Sequence, residues 1–290
     1  MGLLVVIVLM YAGVSLVVAD RISRPVRWPL HTTPAAYGLA YEDVAFTSSM
    51  DNMPLGGWYI DTPGERTIVI LHGVSSARDN YINMEVGRAL AEQNFDLFIF
   101  DFRGHGGSGG DRVSLGEWEA RDIAGALAYL RSRGVEQVGV LGYSMGAATA
   151  LLAAPDHPEM TAIVADSAFA DLFSVVERER AQAGVPDLFN PGYVFASKAL
   201  FGVDILANEP KRAIARLGTR PVLLIHADHD PLIPVEQAFE LRDAALAAGN
   251  PNVELWVAQA AGHVAAFADN REEYVRLVVA FFDRHLIKRH

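Results

Sequence analysis

The chain of 290 residues contains no cysteine, which excludes disulfide bonds, thiolate nucleophiles and cysteine-ligated metal centres. The lack of cysteine does not identify the cellular compartment, because proteins without cysteine occur in both reducing and oxidising environments. Lysine is scarce as well, with only Lys198, Lys211 and Lys288, so that the basic charge is almost entirely arginine.

Positive charge is also in deficit, since the formal net charge is −11 and the arginines form no basic stripe. Nucleic acid is therefore not an expected partner. Internal repeats and low-complexity tracts are lacking too. What the chain does have is apolar sequence: 51% of its residues are hydrophobic, enough for the core of one large domain or two small ones.

The first apolar run, Gly2 to Ala19, has 18 residues without a charge. A bilayer core of about 30 Å needs ~20 apolar residues in a helix, so this run is just long enough to cross it. One interpretation is an uncleaved anchor followed by Arg21, Arg24 and Arg27, which by the positive-inside rule places the rest of the chain in the cytoplasm.

Two other interpretations of this run stay open. A signal peptide cleaved after Ala19 would leave a secreted or periplasmic protein, and a buried core helix is the third interpretation. We predict residues 1–19 as a transmembrane anchor or signal sequence and residues 20–40, which contain three prolines, as a linker.

Strands and helices alternate through the remainder, which predicts a mostly parallel sheet with helices on both faces. The predicted strands are Val44–Thr47, Gly57–Ile60, Thr67–Leu71, Phe95–Phe100, Val138–Leu141, Ala162–Ala165, Val222–Ile225 and Val253–Val257. The predicted helices are Asn83–Gln93, Trp118–Arg131, Ala147–Ala154, Asp171–Ala183, Tyr193–Phe201, Val235–Ala248 and Glu272–His285.

One connection is longer than a crossover needs. About 55 residues with two predicted helices separate the strand that ends near Asp166 from the strand that begins at Val222. We predict a lid at residues 167–212 within a domain of residues 41–290. Its aromatic residues indicate either an apolar pocket or simple anchoring of the insertion to the core.

The turn Gly142-Tyr143-Ser144-Met145-Gly146 joins a strand to a helix and has the G-x-S-x-G pattern of a nucleophile elbow. A side chain at either glycine would collide with neighbouring backbone in so tight a turn. A serine needs a base, usually a histidine that a carboxylate orients. Such groups follow two late strands: Asp228 and Asp230 after one, and His263 after the other.

The chain resembles the α/β-hydrolase-fold serine hydrolases, and among them bacterial esterases near the serine-aminopeptidase and Bem46-like groups. The resemblance covers roughly residues 43 to 287. Five motifs carry it: His72-Gly73, Asp101-Phe102-Arg103-Gly104-His105-Gly106-Gly107-Ser108, the elbow, Asp230-Pro231-Leu232-Ile233-Pro234 and Gly262-His263. It implies a sheet of about eight strands, flanking helices and a small helical lid.

The resemblance also implies roles for residues. Ser144 is the expected nucleophile, His263 the base and Asp230 the acid, with Asp228 and the more distant Asp166 as competing acids.

The backbone N–H groups of Met145 and Val74 are the expected oxyanion hole. His72, His105 and Arg103 are expected to shape their loops. Four residues around Asp230, including His226 and His229, match no recognised metal-ligand spacing, so neither metal nor cofactor is expected.

The expected activity is therefore cleavage of an ester, thioester or amide of a small acyl substrate through an acyl-serine intermediate, and first of all that of a carboxylesterase or lipase. Aminopeptidase, acyltransferase and perhydrolase activities would use the same three residues. An aminopeptidase would also need an acidic group for the substrate amine. The lid offers Glu177 and Glu179, but their place in the run Glu-Arg-Glu-Arg favours a solvated helix face. An alternative of another class is a membrane-tethered binding protein without turnover. The sequence predicts no oligomeric state.

Overall fold

Eight strands form one sheet in the computed structural model, which describes residues 2–64 and 66–286. Their order across the sheet is β1-β2-β4-β3-β5-β6-β7-β8. Strand β2 pairs antiparallel with β1 and β4, and every pair from β4 to β8 is parallel. The strands are β1 (Glu42–Thr47), β2 (Pro54–Ile60), β3 (Thr67–Leu71), β4 (Asp96–Phe100), β5 (Val138–Tyr143), β6 (Met160–Asp166), β7 (Val222–His229) and β8 (Val253–Ala261).

Helices cover both faces of this sheet, because its central strands are apolar on both sides. The helices are α1 (Gly2–Ser23), α2 (Tyr81–Glu92), α3 (Glu117–Ser132), α4 (Met145–Ala153), α5 (Leu172–Gln182), α6 (Asn190–Phe201), α7 (Pro210–Ile214), α8 (Glu236–Ala247), α9 (Ala266–Asp269) and α10 (Arg271–His285). Helices α3, α4 and α8 pack on one face, and α2 and α10 on the other. The predicted α/β architecture is confirmed.

Some elements differ in length from the prediction. Strands β7 and β8 continue beyond the predicted apolar runs, because backbone pairing such as His226 with Val257 does not depend on large apolar side chains. Helices α7 and α9 are too short to show a periodicity in the sequence. The last four residues of the predicted domain, 287–290, lie outside the described residues.

Residues 24–40 differ from the linker that their prolines predict. The N–H of Val26 donates to Ser75 Oγ at 3.0 Å, and the N–H of Thr32 donates to the carboxylate of Asp79 at 3.1 Å. Leu30 and Tyr37 pack against the core between the sheet and α2. Proline ends a helix but does not prevent packing, so this segment lies on the domain.

We use the name cap for residues 167–212, the segment predicted as a lid. It contains α5, α6 and a short 3₁₀ turn, Asp187–Phe189. A separate apolar cluster joins it to the rest of the molecule, and Val18 and Ile22 of α1 pack into that cluster. The cap therefore packs against one side of the amino-terminal helix as well as on the sheet.

Candidate active site

Ser144 lies between β5 and α4 with φ 53° and ψ −117°, a conformation that residues other than glycine rarely adopt. The tightness of the turn explains both of its glycines. A Cβ at Gly142 would lie 2.6 Å from the backbone of Gly146, and one at Gly146 would lie 2.5 Å from the carbonyl oxygen of Leu71. The turn leaves the serine hydroxyl at the carboxyl edge of the sheet.

The structure brings Ser144, His263 and Asp230 together. His263 Nε2 is 2.7 Å from Ser144 Oγ, and His263 Nδ1 is 2.7 Å from Asp230 Oδ2. Both distances suit direct hydrogen bonds. Because the carboxylate accepts from Nδ1–H, the neutral imidazole has a free electron pair on Nε2 that accepts from the serine hydroxyl.

The loop after β7 fixes the position of Asp230. Its Oδ1 accepts the backbone N–H groups of Leu232 and Ile233, both at 2.9 Å. Burial favours the neutral acid, but these bonds and the one from His263 outweigh it and hold the pKa of Asp230 below its usual value. The carboxylate is therefore ionised at neutral pH.

The two competing carboxylates have other partners. Asp228 is 2.9 Å from His229 Nδ1 and accepts the N–H of Ala260 at 2.9 Å. Asp166 is buried at the end of β6 and accepts the hydroxyl of Tyr274 at 3.0 Å, and burial raises its pKa to about 6. Neither contacts His263 by hydrogen bond among the described residues.

Val74 and Met145, the two expected oxyanion donors, line the same cavity as Ser144. Met145 is the first residue of α4, where a backbone N–H has no carbonyl four residues earlier to bond. Val74 precedes Ser75, whose N–H donates to His105 Nε2 at 3.0 Å. That bond holds the backbone next to Val74.

Two buried histidines, His72 and His105, connect the loops after β3 and β4. His72 Nδ1–H donates to the carbonyl of Gly73 at 2.7 Å, and its Nε2 accepts the N–H of Phe102 at 3.0 Å. Burial lowers the pKa of His72 to about 4 and that of His105 to about 3. Both are therefore neutral at pH 7, as their accepting nitrogens require.

Arg103 reaches beyond its own loop, which its sequence context does not reveal. It forms a two-pronged ion pair with Asp122 of α3, the shortest contact being 2.6 Å, and bonds Asp51 at 2.8 Å. The guanidinium therefore ties the loop to α3 and to the turn between β1 and β2.

The cavity at Ser144 has a volume of about 180 Å³ and includes residues that the sequence did not single out. Helix α5 contributes Val176 and Glu179, and the amino-terminal segment contributes Arg21, Ile22, Arg24 and Pro25. No sequence signal marks the amino-terminal residues, because an apolar run followed by prolines is equally typical of an anchor and linker.

The described residues around Asp230 are not arranged as a metal site. Within residues 2–64 and 66–286, no group of three or more histidine and acidic side chains is placed to hold a metal ion. His226 instead donates from Nε2 to the carbonyl of Ile233 at 2.8 Å, which braces the Asp230 loop.

A family model for the alpha/beta hydrolase fold matches residues 66–211, half of the chain. The Bacillus subtilis protein YqkD, itself uncharacterised, is 31% identical over 233 residues, which cover 77% of this chain and 72% of that protein. The chain belongs to the α/β-hydrolase fold family.

Two further relatives of this α/β-hydrolase have described activities. The mouse serine hydrolase BPHL is 27% identical over 192 residues, which cover 59% of this chain and 65% of that protein. The Pyrococcus furiosus esterase Pf2001 superimposes with a TM-score of 0.77 at 29% identity, over 92% of this chain and 99% of that structure. The structures similar to this hydrolase fold thus include an esterase.

Proposed function

We propose that the protein is a serine esterase that acts through an acyl-serine intermediate. The observation that carries the proposal is the unbroken pair of 2.7 Å contacts from Ser144 through His263 to Asp230. Each group stands in the position that its chemical role requires: nucleophile, base and orienting carboxylate. The likeness to an esterase over nearly the whole chain supports the same activity.

In the acylation step, Ser144 Oγ attacks the ester carbonyl carbon while His263 Nε2 takes the hydroxyl proton. The Asp230 carboxylate stabilises the resulting imidazolium, and the N–H groups of Met145 and Val74 bind the oxyanion. Collapse of the intermediate breaks the bond to the alcohol oxygen, which receives the proton from His263. Water then repeats the sequence and releases the acid and free Ser144.

The charges around Ser144 favour an ester over a peptide with a free amine. Glu179 lines the cavity and is the acidic group that an aminopeptidase would use. However, Arg21 and Arg24 line the same cavity, so its charged lining has two cations and one carboxylate, a balance that opposes the binding of an ammonium group. Glu177, the other candidate, accepts a hydrogen bond from Asn190 at 2.9 Å and lines neither this cavity nor the larger one beside it.

We also propose that α1 stays attached as a membrane anchor, with the hydrolase domain in the cytoplasm. Helix α1 is long and apolar enough to cross a bilayer. Cleavage after Ala19 would remove Tyr11, which stacks on Phe189 of the cap at 5.1 Å, and the buried Ser15. Because one side of α1 packs against the cap, we propose that the helix is retained.

The test is hydrolysis of p-nitrophenyl esters by the full-length protein, beside the Ser144→Ala variant. The proposal expects turnover of at least the short esters and its loss in Ser144→Ala, by about 10⁶-fold if the three residues act as a unit. Equal turnover by both proteins, or none by the folded wild type, contradicts the proposal.

A further inference from the structure

A second cavity, of about 740 Å³, lies beside the one at Ser144, between α1 and the end of α5. We call it the groove. Its α1 wall presents Gly13, Val14, Val17 and Val18, none of which has a polar side chain. Across from them, Ala183 and Val185 continue the apolar lining, which Gln182 and Arg180 interrupt. The Arg180 guanidinium donates to the carbonyl of Val185.

The groove and the Ser144 cavity share a boundary. Arg21 and Ile22 of α1 and Val176 and Glu179 of α5 line both. The charged groups of α1 and α5 that face both cavities therefore lie at the end nearest to Ser144. A molecule that occupied both would have its polar part at this boundary and its apolar part along α1.

The sizes of the two cavities show that a long-chain ester would have to occupy both. Pockets for ligands of ordinary size measure about 300–1,000 Å³. The Ser144 cavity, at about 180 Å³, is too small for a long-chain ester, whereas the groove has room for an acyl chain. From residue 13 to residue 22 the α1 wall is about 14 Å long, close to the ~15 Å that the acyl chains of one leaflet span.

The position of α1 connects the groove to a bilayer. Leu3 to Met10 are more than half exposed, but these residues extend only about 12 Å, less than half of a bilayer core. If α1 spans the membrane, the half that packs on the cap has to enter it too. The cap surface near α1 suits that environment, since Leu188, Phe195 and Leu200 are all more than 60% exposed.

From these observations we infer that the groove binds the acyl chain of a membrane lipid and presents its ester to Ser144. The inference rests on the proposed esterase activity. It names the substrate class as long-chain acyl esters drawn laterally from the bilayer, with α1 as one wall of the binding site.

Two neighbouring residues of α1 give a matched kinetic test. Val17 lines the groove and is 61% exposed, whereas Leu16 is 42% exposed and does not line it. The variants Val17→Trp and Leu16→Trp are made in the full-length protein in phosphatidylcholine nanodiscs. The measured quantity is the ratio of kcat/KM for p-nitrophenyl palmitate to that for p-nitrophenyl acetate.

We expect Val17→Trp to lower this ratio about tenfold, which corresponds to the loss of about two buried methylene contacts. Leu16→Trp should leave the ratio as in the wild type. The inference is overturned if Val17→Trp keeps the wild-type ratio, or if Leu16→Trp lowers it equally.

A second measurement does not depend on turnover. The full-length Ser144→Ala variant is placed in liposomes with a phosphatidylcholine whose palmitoyl chain ends in a diazirine, and the cross-linked peptides are mapped by mass spectrometry. Cross-links at residues 182–185 of the groove support the inference. Cross-links confined to residues 3–10 and the exposed face of α6 overturn it. If the wild type hydrolyses no ester, the esterase proposal fails while this map still decides the role of the groove.

Discussion

Ser144 has a backbone conformation that costs of order 1–3 kcal/mol, which the surrounding turn has to offset. The offset comes from close backbone packing, since Gly146 lies against Leu71 of β3 and the N–H of Ser144 donates to the carbonyl of Asp166 at 2.8 Å. At the scale of the residue, the site therefore depends on the absence of side chains at Gly142 and Gly146 as well as on the side chains of Ser144, His263 and Asp230.

The glycine requirement predicts a large loss of stability for Gly146→Ala. Its Cβ would meet backbone at 2.5 Å, which no side-chain movement relieves, so we expect a loss of more than about 3 kcal/mol. Gly107→Ala is the control, because its nearest neighbours lie at 3.9 Å and its φ is not positive. Urea unfolding of both variants measures the difference. Equal stabilities would contradict the packing argument.

The choice between two nearby carboxylates gives a second prediction. We expect Asp230→Asn to lower kcat about 10⁴-fold on p-nitrophenyl acetate, because an amide no longer fixes the required tautomer of His263. Asp228→Asn, which changes a carboxylate two residues earlier that bonds Ala260, should alter kcat little. A larger loss in Asp228→Asn would transfer the acid role to that residue.

Much at this scale could be predicted from the sequence. Ser144 and His263 stand directly after apolar strands, and parallel strands bring their carboxyl ends to one edge. The residues alone did not choose between Asp230 and Asp228. That difference arises from the turn at Leu232 and Ile233, whose N–H groups orient one carboxylate towards His263.

At the scale of elements, the loops after β3 and β4 are joined through two neutral histidines. His72 and His105 each use one ring nitrogen as donor and the other as acceptor. Protonation turns the acceptor into a donor and breaks the bond to Phe102 or Ser75. The loop that carries Val74 therefore depends on the neutral form.

This dependence predicts acid instability. In the folded protein the pKa is about 4 for His72 and about 3 for His105, below the ordinary value of 6.5. Between these folded values and pH 6.5, the two histidines are therefore protonated in the unfolded chain only. The stabilisation is complete above pH 6.5 and is lost as the pH falls towards 4, by about 3 kcal/mol for His72 alone.

The free energy of unfolding, measured by urea at pH 7 and pH 4.5, tests this expectation. His105→Gln keeps an acceptor but cannot be protonated, so its stability should fall less over this range. His157→Gln is the control, because that side chain lies near the surface outside both loops. If the free energy of unfolding falls as much in His105→Gln as in the wild type between pH 7 and pH 4.5, the role of neutral His105 is contradicted.

The elements that the sequence did not reveal are those defined by tertiary contact. The uncharged apolar run of α1 indicates a helix suited to an apolar environment, but not whether lipid or the cap supplies that environment. Prolines at positions 25, 29 and 34 disfavour a long helix there, but Pro34 begins a short 3₁₀ turn, Pro34–Tyr37, and the backbone of the segment bonds Ser75 and Asp79. The cap was predicted from its excess length, whereas its packing on α1 depends on shape that composition does not encode.

At the scale of the whole molecule, the amino-terminal helix is part of the hydrolase rather than a separate appendage. Tyr11, Val18 and Ile22 contact the cap, and residues 21, 22, 24 and 25 line the Ser144 cavity. The amino-terminal helix, the cap and the turn that carries Ser144 are thus in continuous contact.

Retention of α1 is therefore a prediction for the whole protein. The protein purified from membranes should have an intact mass that includes residues 2–19, and removal of residues 1–19 should lower the free energy of unfolding by about 3 kcal/mol or more, as two or three apolar side chains lose their partners. A mature protein that begins at Asp20 would contradict this prediction and support secretion.

The central claim is that Ser144 is the activated nucleophile. The most direct test is the reaction of the full-length protein with a fluorophosphonate, followed by intact mass and peptide mapping. We predict one phosphonyl adduct per chain, located on Ser144 and absent from the Ser144→Ala variant. An adduct on another serine, or no adduct on the folded wild type, would contradict the account.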